Sequence, residues 1–170
     1  PEPAHEAVTL ADYRTRHAQY KRDPMLQAAH ARAALICVWD DHEIANDAWV
    51  HGAENHQPDT ESSWANRKAA AMQAYFEWMP IRDPAPNDPW EAINRHFAFG
   101  DLATLTMVES RLLVRNEAAG FKGDTPQGEQ IESVLAMLND PKRELIGPKQ
   151  ERWLEERLAE VVVRDRRSED

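Results

Sequence analysis

The sequence predicts a mixed fold, α/β or α+β, with more helix than strand, and three observations carry that prediction. Leu10, Tyr13, His17 and Tyr20 recur at helical spacing, as do Ala65, Ala69, Met72, Phe76 and Met79. The apolar run Leu35-Ile36-Cys37-Val38-Trp39 has no such spacing and reads as a strand. Beyond Gly100-Asp101, Thr104 and Thr106 alternate with Ala103, Leu105 and Met107, a second strand-like pattern.

The elements follow in order. Thr9-Leu10-Ala11-Asp12 is an approximate capping box and opens the first helix. Asp23-Pro24 interrupts it, because the residue before proline leaves the helical region. A short second helix runs from about Pro24 to Arg32, with Pro24 at its first position. Leu35 to Trp39 then forms a strand buried on both faces, as in the centre of a layered sheet. Trp49 to Ser63 is a loop, and Ser63 to Met79 is a helix that Pro80 ends. Arg82 to Pro89, with its prolines and aspartates, is an irregular connection. Phe97, Phe99, the Gly100-Asp101 turn and Leu102 to Val108 form a β-hairpin. Gly120 to Gln130 is loop-like, and Ile131 to Leu138 is a short helix. Gly147-Pro148 opens a last helix carrying Trp153, Leu154, Leu158 and Val161.

Composition narrows the function classes. A chain of 170 residues with 42% apolar and 29% charged residues suits one ordinary globular domain. The longest apolar stretch, Ala33 to Trp39, is far shorter than the roughly twenty residues of a membrane helix. Thirty acids against twenty bases give a net charge of −10, so a broad basic footprint for nucleic acid is missing. A phosphate substrate would need a metal or a local arginine to hold it. The single cysteine, Cys37, forms no internal disulfide and reads as a packed small hydrophobe. Most of the six tryptophans are expected in the core. Pro1 to Pro3 shows no signal peptide, and both ends read as cut from something longer.

The densest polar cluster follows the Leu35–Trp39 run directly. Asp40, Asp41, His42, Glu43, Asn46, Asp47, His51, Glu54, Asn55 and His56 all offer oxygen or nitrogen ligands. In open α/β sheets, ligands bind beyond the carboxyl ends of strands. Carboxylates there can hold hard cations, and imidazole adds borderline metals. The plainer alternative is that Asp40 and Asp41 cap the next turn within a solvated loop, with His51 and His56 as loop residues.

Several motifs resemble the alkaline phosphatase D family. They are Thr9-Leu10-Ala11-Asp12-Tyr13-Arg14; Asp23-Pro24 with Leu26-Gln27 and His30; and Val38-Trp39-Asp40-Asp41-His42-Glu43 with Ala45-Asn46-Asp47-Ala48-Trp49. Gly52-Ala53-Glu54-Asn55-His56, Tyr75-Phe76-Glu77-Trp78-Met79-Pro80, Phe99-Gly100-Asp101-Leu102-Ala103 and Gln150 with Trp153-Leu154 continue the likeness in order, over about residues 8 to 158. The resemblance implies part of a calcineurin-like metallophosphoesterase fold, a β-sandwich flanked by helices. It implies hydrolysis of phosphate mono- or diesters, using two or more metals with iron and calcium among them. It also implies an extracytoplasmic location, since the family is often exported by the twin-arginine route.

The same resemblance implies roles. Asp40-Asp41-His42-Glu43 stands where the wider superfamily has Gly-Asn-His-Asp/Glu, so Asp41 would be a metal ligand and Asp40 a lesser one. His42 would stabilise the transferring phosphoryl group or protonate the leaving oxygen. Asn46 and Asp47 would support the metals or face the substrate. Arg111, in Glu109-Ser110-Arg111, fits the family's phosphate-facing arginine, whereas Glu109 departs from the family's aspartate. The family's other metal ligands would lie outside this chain, upstream and downstream. The whole of residues 1 to 170 would then be the central part of a metallophosphatase domain, poorly active alone. A binding or interaction module derived from the same fold is the alternative. Missing cover over Leu35–Trp39 would also favour self-association.

Overall fold

The computed structural model describes residues 1–119 and 127–167, with side chains for 1–119 and 130–161. Six helices and two strands are present among them: α1 Leu10–Lys21, α2 Pro24–Arg32, α3 Pro58–Glu61, α4 Trp64–Trp78, β1 Arg95–Phe99, β2 Ala103–Met107, α5 Gln127–Leu138 and α6 Gly147–Arg167. This is the mixed, helix-rich architecture that the sequence predicts.

The local signals locate the helix starts. Thr9 Oγ1 accepts from the Asp12 N–H, and Asp12 Oδ2 accepts from the Thr9 N–H, so the capping box is complete. Asp23 Oδ1 accepts from the N–H groups of Met25 and Leu26, and Pro24 stands in the first turn of α2. Ser63 accepts from the Asn66 N–H to start α4. β1 and β2 form the expected antiparallel hairpin, in a register that pairs Phe99 with Ala103 and Phe97 with Leu105. Gly100 turns it with φ +61°, a conformation that a side chain would strain.

Three expectations are corrected. Leu35 to Trp39 forms no strand, and Leu35, Ile36 and Val38 are partly exposed. A strand exists only through ladder bonds, and the one sheet among the described residues contains only β1 and β2. Only Trp39, at the end of the run, is buried. Second, α4 keeps only part of the expected face inward: Met72 is buried and Phe76 and Met79 pack against the core. Trp64, Arg67, Ala71, Met72, Ala74 and Tyr75 are its buried residues, while Ala65 and Ala69 are exposed. Its inner stripe includes a charged residue, which apolar spacing leaves out. Third, residues 127–130, expected in a loop, belong to α5; the rest of the expected loop, 120–126, lies outside the described residues. The tryptophans also divide: Trp39 and Trp64 are core, whereas Trp90 is exposed.

The core joins α1 and α4 to the loop between α2 and α3. Tyr13, Trp39, Ile44, Ala45, Ala48, Ala53, Trp64, Met72, Tyr75, Ile93 and Leu112 belong to it. Trp39 meets Tyr75 edge-on, with ring centres 5.3 Å apart. Burial of Trp39 is what fixes the polar turn after it. Within that turn the Ile44 and Ala45 N–H groups both donate to the Asp41 carbonyl, at 3.0 Å.

Two polar groups complete this frame. Arg67 is only 1% exposed. It donates to Tyr13 Oη, Glu61, Glu6 and the Ala7 carbonyl, and Tyr13 Oη donates in turn to the Ile44 carbonyl at 3.0 Å. The guanidinium thereby ties the N-terminal segment, α1 and α4 to the turn that follows Trp39. Glu109 is equally buried. Its carboxylate accepts from Trp39 Nε1 at 2.9 Å and from the N–H groups of Arg111, Leu112 and Leu113 at 2.8 to 2.9 Å. Gln150 on α6 clasps the Glu109 backbone from both sides, accepting from its N–H and donating to its carbonyl.

Candidate functional site

The turn after Trp39 and the segment after Glu109 meet because Glu109 binds the Trp39 indole and the backbone of 111–113 together. This contact brings Asp41 and Arg111, seventy positions apart, face to face. Arg111 Nη2 lies 3.3 Å from Asp41 Oδ1, and Nη1 lies 3.8 Å from Asp47 Oδ1. The other Asp41 oxygen accepts from the Asp47 N–H at 2.7 Å. Asp47 reaches this position with φ +50°, a conformation that aspartate tolerates better than most residues. Asp41 is buried, and burial alone would push its carboxyl upward. The Asp47 N–H, a backbone hydrogen bond within Asp41 itself, Arg111 and His42 outweigh that and hold it below the usual carboxylate value. Asp41 is therefore an anion at neutral pH.

His42 stands at the mouth of this pair. Its side chain is 71% exposed, with Nε2 3.8 Å from Asp41 Oδ2. Arg111 is less open, with its side chain 23% exposed. Its Nη1 is buried without a hydrogen-bond partner, which leaves a guanidinium N–H unsatisfied beside the pair.

The remaining expected residues have other partners. Asp40 turns its carboxylate back to the His42 N–H at 2.7 Å, while its own N–H donates to Glu43 at 2.6 Å. This is the capping role of the plainer reading. Burial and the nearby Asp40 charge push the Glu43 carboxyl up, against the pull of the Asp40 N–H. Asn46 is bonded to Glu54 through its side chain and, at 2.9 Å, through its carbonyl. His56 lies against Glu61 and Trp64, beside Arg67. Glu109, which departs from the family's aspartate, acts as the cap of residues 111–113 rather than facing the pair.

One contributor escaped the sequence reading. Arg115 follows Arg111 by four residues, and its carbonyl accepts from the Val50 N–H at 3.2 Å. Burial and the neighbouring Arg111 lower its affinity for a proton, while Asp47 and Asp41 oppose that effect. The signal in the sequence is the pair of arginines bracketing Leu112-Leu113-Val114.

Asp41 is ionised and offers one carboxylate, but Arg111 and the Asp47 N–H already engage both its oxygens. Among the described residues, no three His, Cys, Asp or Glu side chains converge. These residues do not make a metal shell by themselves. A larger cavity of about 770 Å³ lies elsewhere, under Leu35, Ile36 and Trp153, and none of the six candidate residues lines it.

Comparison with known proteins agrees with the motifs. The sequence model of the PhoD-like phosphatase family matches residues 1–164, and the chain belongs to that family. It is 39% identical over 150 residues to "Alkaline phosphatase D" of Bacillus subtilis (strain 168). The match covers 88% of this chain and 24% of that protein, so the chain spans about a quarter of its relative's length. No solved structure matches significantly.

Proposed function

We propose that this chain supplies the phosphoryl-facing part of a phosphate-ester hydrolase. The observation that carries the proposal is the convergence of Asp41, His42 and Arg111. The partly exposed Arg111 guanidinium offsets the negative charge that develops on the transferring phosphoryl group. The anionic Asp41 fixes the orientation of the guanidinium, and Asp47 supports it from the other side. The exposed imidazole of His42 reaches the leaving oxygen and donates a proton to it. Asn46, bonded to Glu54, holds the loop on the substrate side.

A metal requirement belongs to the same proposal, with iron and calcium as the first metals to test. The metals would supply the hydrolytic water or hydroxide, and they need ligands beyond those described. Preference for mono- or diesters, and a location outside the cytoplasm, are proposed on family resemblance alone. No helix among the described residues is long and apolar enough to cross a membrane. The partly exposed Leu35, Ile36 and Val38 support self-association, which a monomer at high concentration in light scattering would contradict.

The experiment is hydrolysis of p-nitrophenyl phosphate and bis(p-nitrophenyl) phosphate with iron and calcium. The chain should turn over far more slowly than full-length alkaline phosphatase D, and His42→Ala should abolish what remains. Turnover matching the longer relative would refute the claim that more ligands are needed. Turnover indifferent to His42 and Arg111 would refute the site. A binding module without catalysis is the second reading, favoured by the engagement of both Asp41 oxygens within the chain. Phosphate binding with no turnover under any metal would select it.

A further inference from the structure

The segments that carry Asp47 and Arg111 continue side by side beyond the site. The Arg111–Asp47 contact is followed by the bond from the Val50 N–H to the Arg115 carbonyl. Further along the same two segments lies a cavity of about 370 Å³. That volume is within the roughly 300–1,000 Å³ of small-molecule sites. Asp47, which Arg111 contacts, and the lining residue Trp49 are two residues apart, at most about 7 Å along the chain, so Arg111 and the cavity are within reach of one small molecule.

The lining has two characters. Trp49 and Met137 are apolar, and His51, Lys142 and Arg143 are basic. The Trp49 ring is seated against Gly52, where a Cβ atom would come within 2.7 Å of it. The ring is thus a fixed wall. The floor is closed by Asn116, whose side chain accepts from the Glu144 N–H at 2.6 Å and whose own N–H donates to the Glu144 carbonyl. Two carboxylates also line the cavity, those of Glu117 and Asp140. Asp140 Oδ1 accepts from the Lys142 N–H at 2.9 Å, and Arg143 donates to the Glu117 carbonyl. Arg115 lies near enough to both Arg111 and Arg143 for each to disfavour its charge. Asp47 and Asp41 offset part of that repulsion, so the basic groups of the site and of the cavity are electrostatic neighbours.

We propose that this cavity is the leaving-group subsite of the phosphate ester. It would take an alcohol with a flat ring and a further negative charge, of which a nucleoside phosphate is the simplest example. The ring stacks on Trp49, and the second charge meets Lys142 and Arg143. This inference rests on the phosphate-ester reading of the Asp41–Arg111 pair.

The test uses the full chain and three probes followed by calorimetry and by indole N–H shifts: inorganic phosphate, adenosine monophosphate and adenosine 3′,5′-bisphosphate. The bisphosphate should bind about tenfold tighter than inorganic phosphate, as expected for one added charge-assisted contact. Lys142→Glu, at an exposed position, should erase that advantage and leave inorganic phosphate affinity unchanged. Arg143→Ala, checked for folding by its melting temperature, should do the same. A bisphosphate that binds no tighter than phosphate, or an advantage that survives both variants, would overturn the subsite. Failure of the underlying reading looks different. Inorganic phosphate would then be indifferent to Arg111→Ala, and the subsite would be judged on its own by whether adenosine monophosphate shifts the Trp49 indole in the parent chain and not in Lys142→Glu.

Discussion

Arg67 and Arg111 both meet carboxylates, and they do so in opposite ways. Arg67 is sealed inside, with Tyr13, Glu6, Glu61 and a backbone carbonyl at hydrogen-bond distance. Arg111 stands at the surface end of the core, with ion-pair contacts of 3.3 and 3.8 Å and no hydrogen-bond partner for its Nη1. A fully paired buried ion is committed to the fold, because any movement would strand a charge. An arginine held in place but left unsatisfied still has a hydrogen bond to give. The first arginine builds the frame; the second is available to a ligand. Glu109 belongs with Arg67, since four donors saturate it.

The contrast can be broken most severely at Arg67. Arg67→Ala should cost about 4 kcal/mol, since it empties a buried site and removes the cation that Glu6, Glu61, Tyr13 and the Ala7 carbonyl share. The urea midpoint measures this, and a loss under about 1 kcal/mol would mean the knot is not structural. Glu109→Ala should cost about 3 kcal/mol, because it strands an indole and three backbone N–H groups. Its signature is altered Trp39 fluorescence along with the lower midpoint. A weaker effect is expected at the rim of the frame. Asp12, the carboxylate of the capping box, is lowered from 3.8 to about 2, where bonds from Thr9 and Val8 outweigh burial. A depressed carboxylate contributes stability that is present above its unfolded value and lost as pH falls through the folded one. Stability should therefore drop between pH 4 and pH 2, by about 1 kcal/mol after solvent screening, and Asp12→Asn should flatten that part of the curve. Smallest in stability is Arg111→Ala, expected within about 1 kcal/mol of the parent because the pair is partly solvated. A large destabilisation there would place Arg111 with the frame and end the contrast.

What the sequence made legible was local. Thr9, Asp23-Pro24, Ser63 and Gly100 act on their own neighbours, so the helix starts and the hairpin could be read directly. The Leu35–Trp39 run has a strand's local pattern but forms no strand, because a strand depends on partners that no local pattern contains. Arg67 was invisible for a related reason: periodicity counts apolar residues, and its burial depends on Glu6, Tyr13 and Glu61 lying far apart in the chain. At the site, residue types alone leave both ligand and cap open. The structure makes Asp40 a cap and pairs Asp41 with Arg111. That pairing could be anticipated only from family resemblance, because it is made by Glu109 and the Trp39 indole across seventy positions.

The most direct test of the contrast is inorganic phosphate affinity, measured by calorimetry with and without iron and calcium, for the parent chain and Arg111→Ala. Binding that falls at least about tenfold in the variant, with an unchanged melting temperature, is the expected result for one lost charge-assisted contact. Equal affinity in the two proteins would contradict the account and leave Arg111 as a surface ion pair.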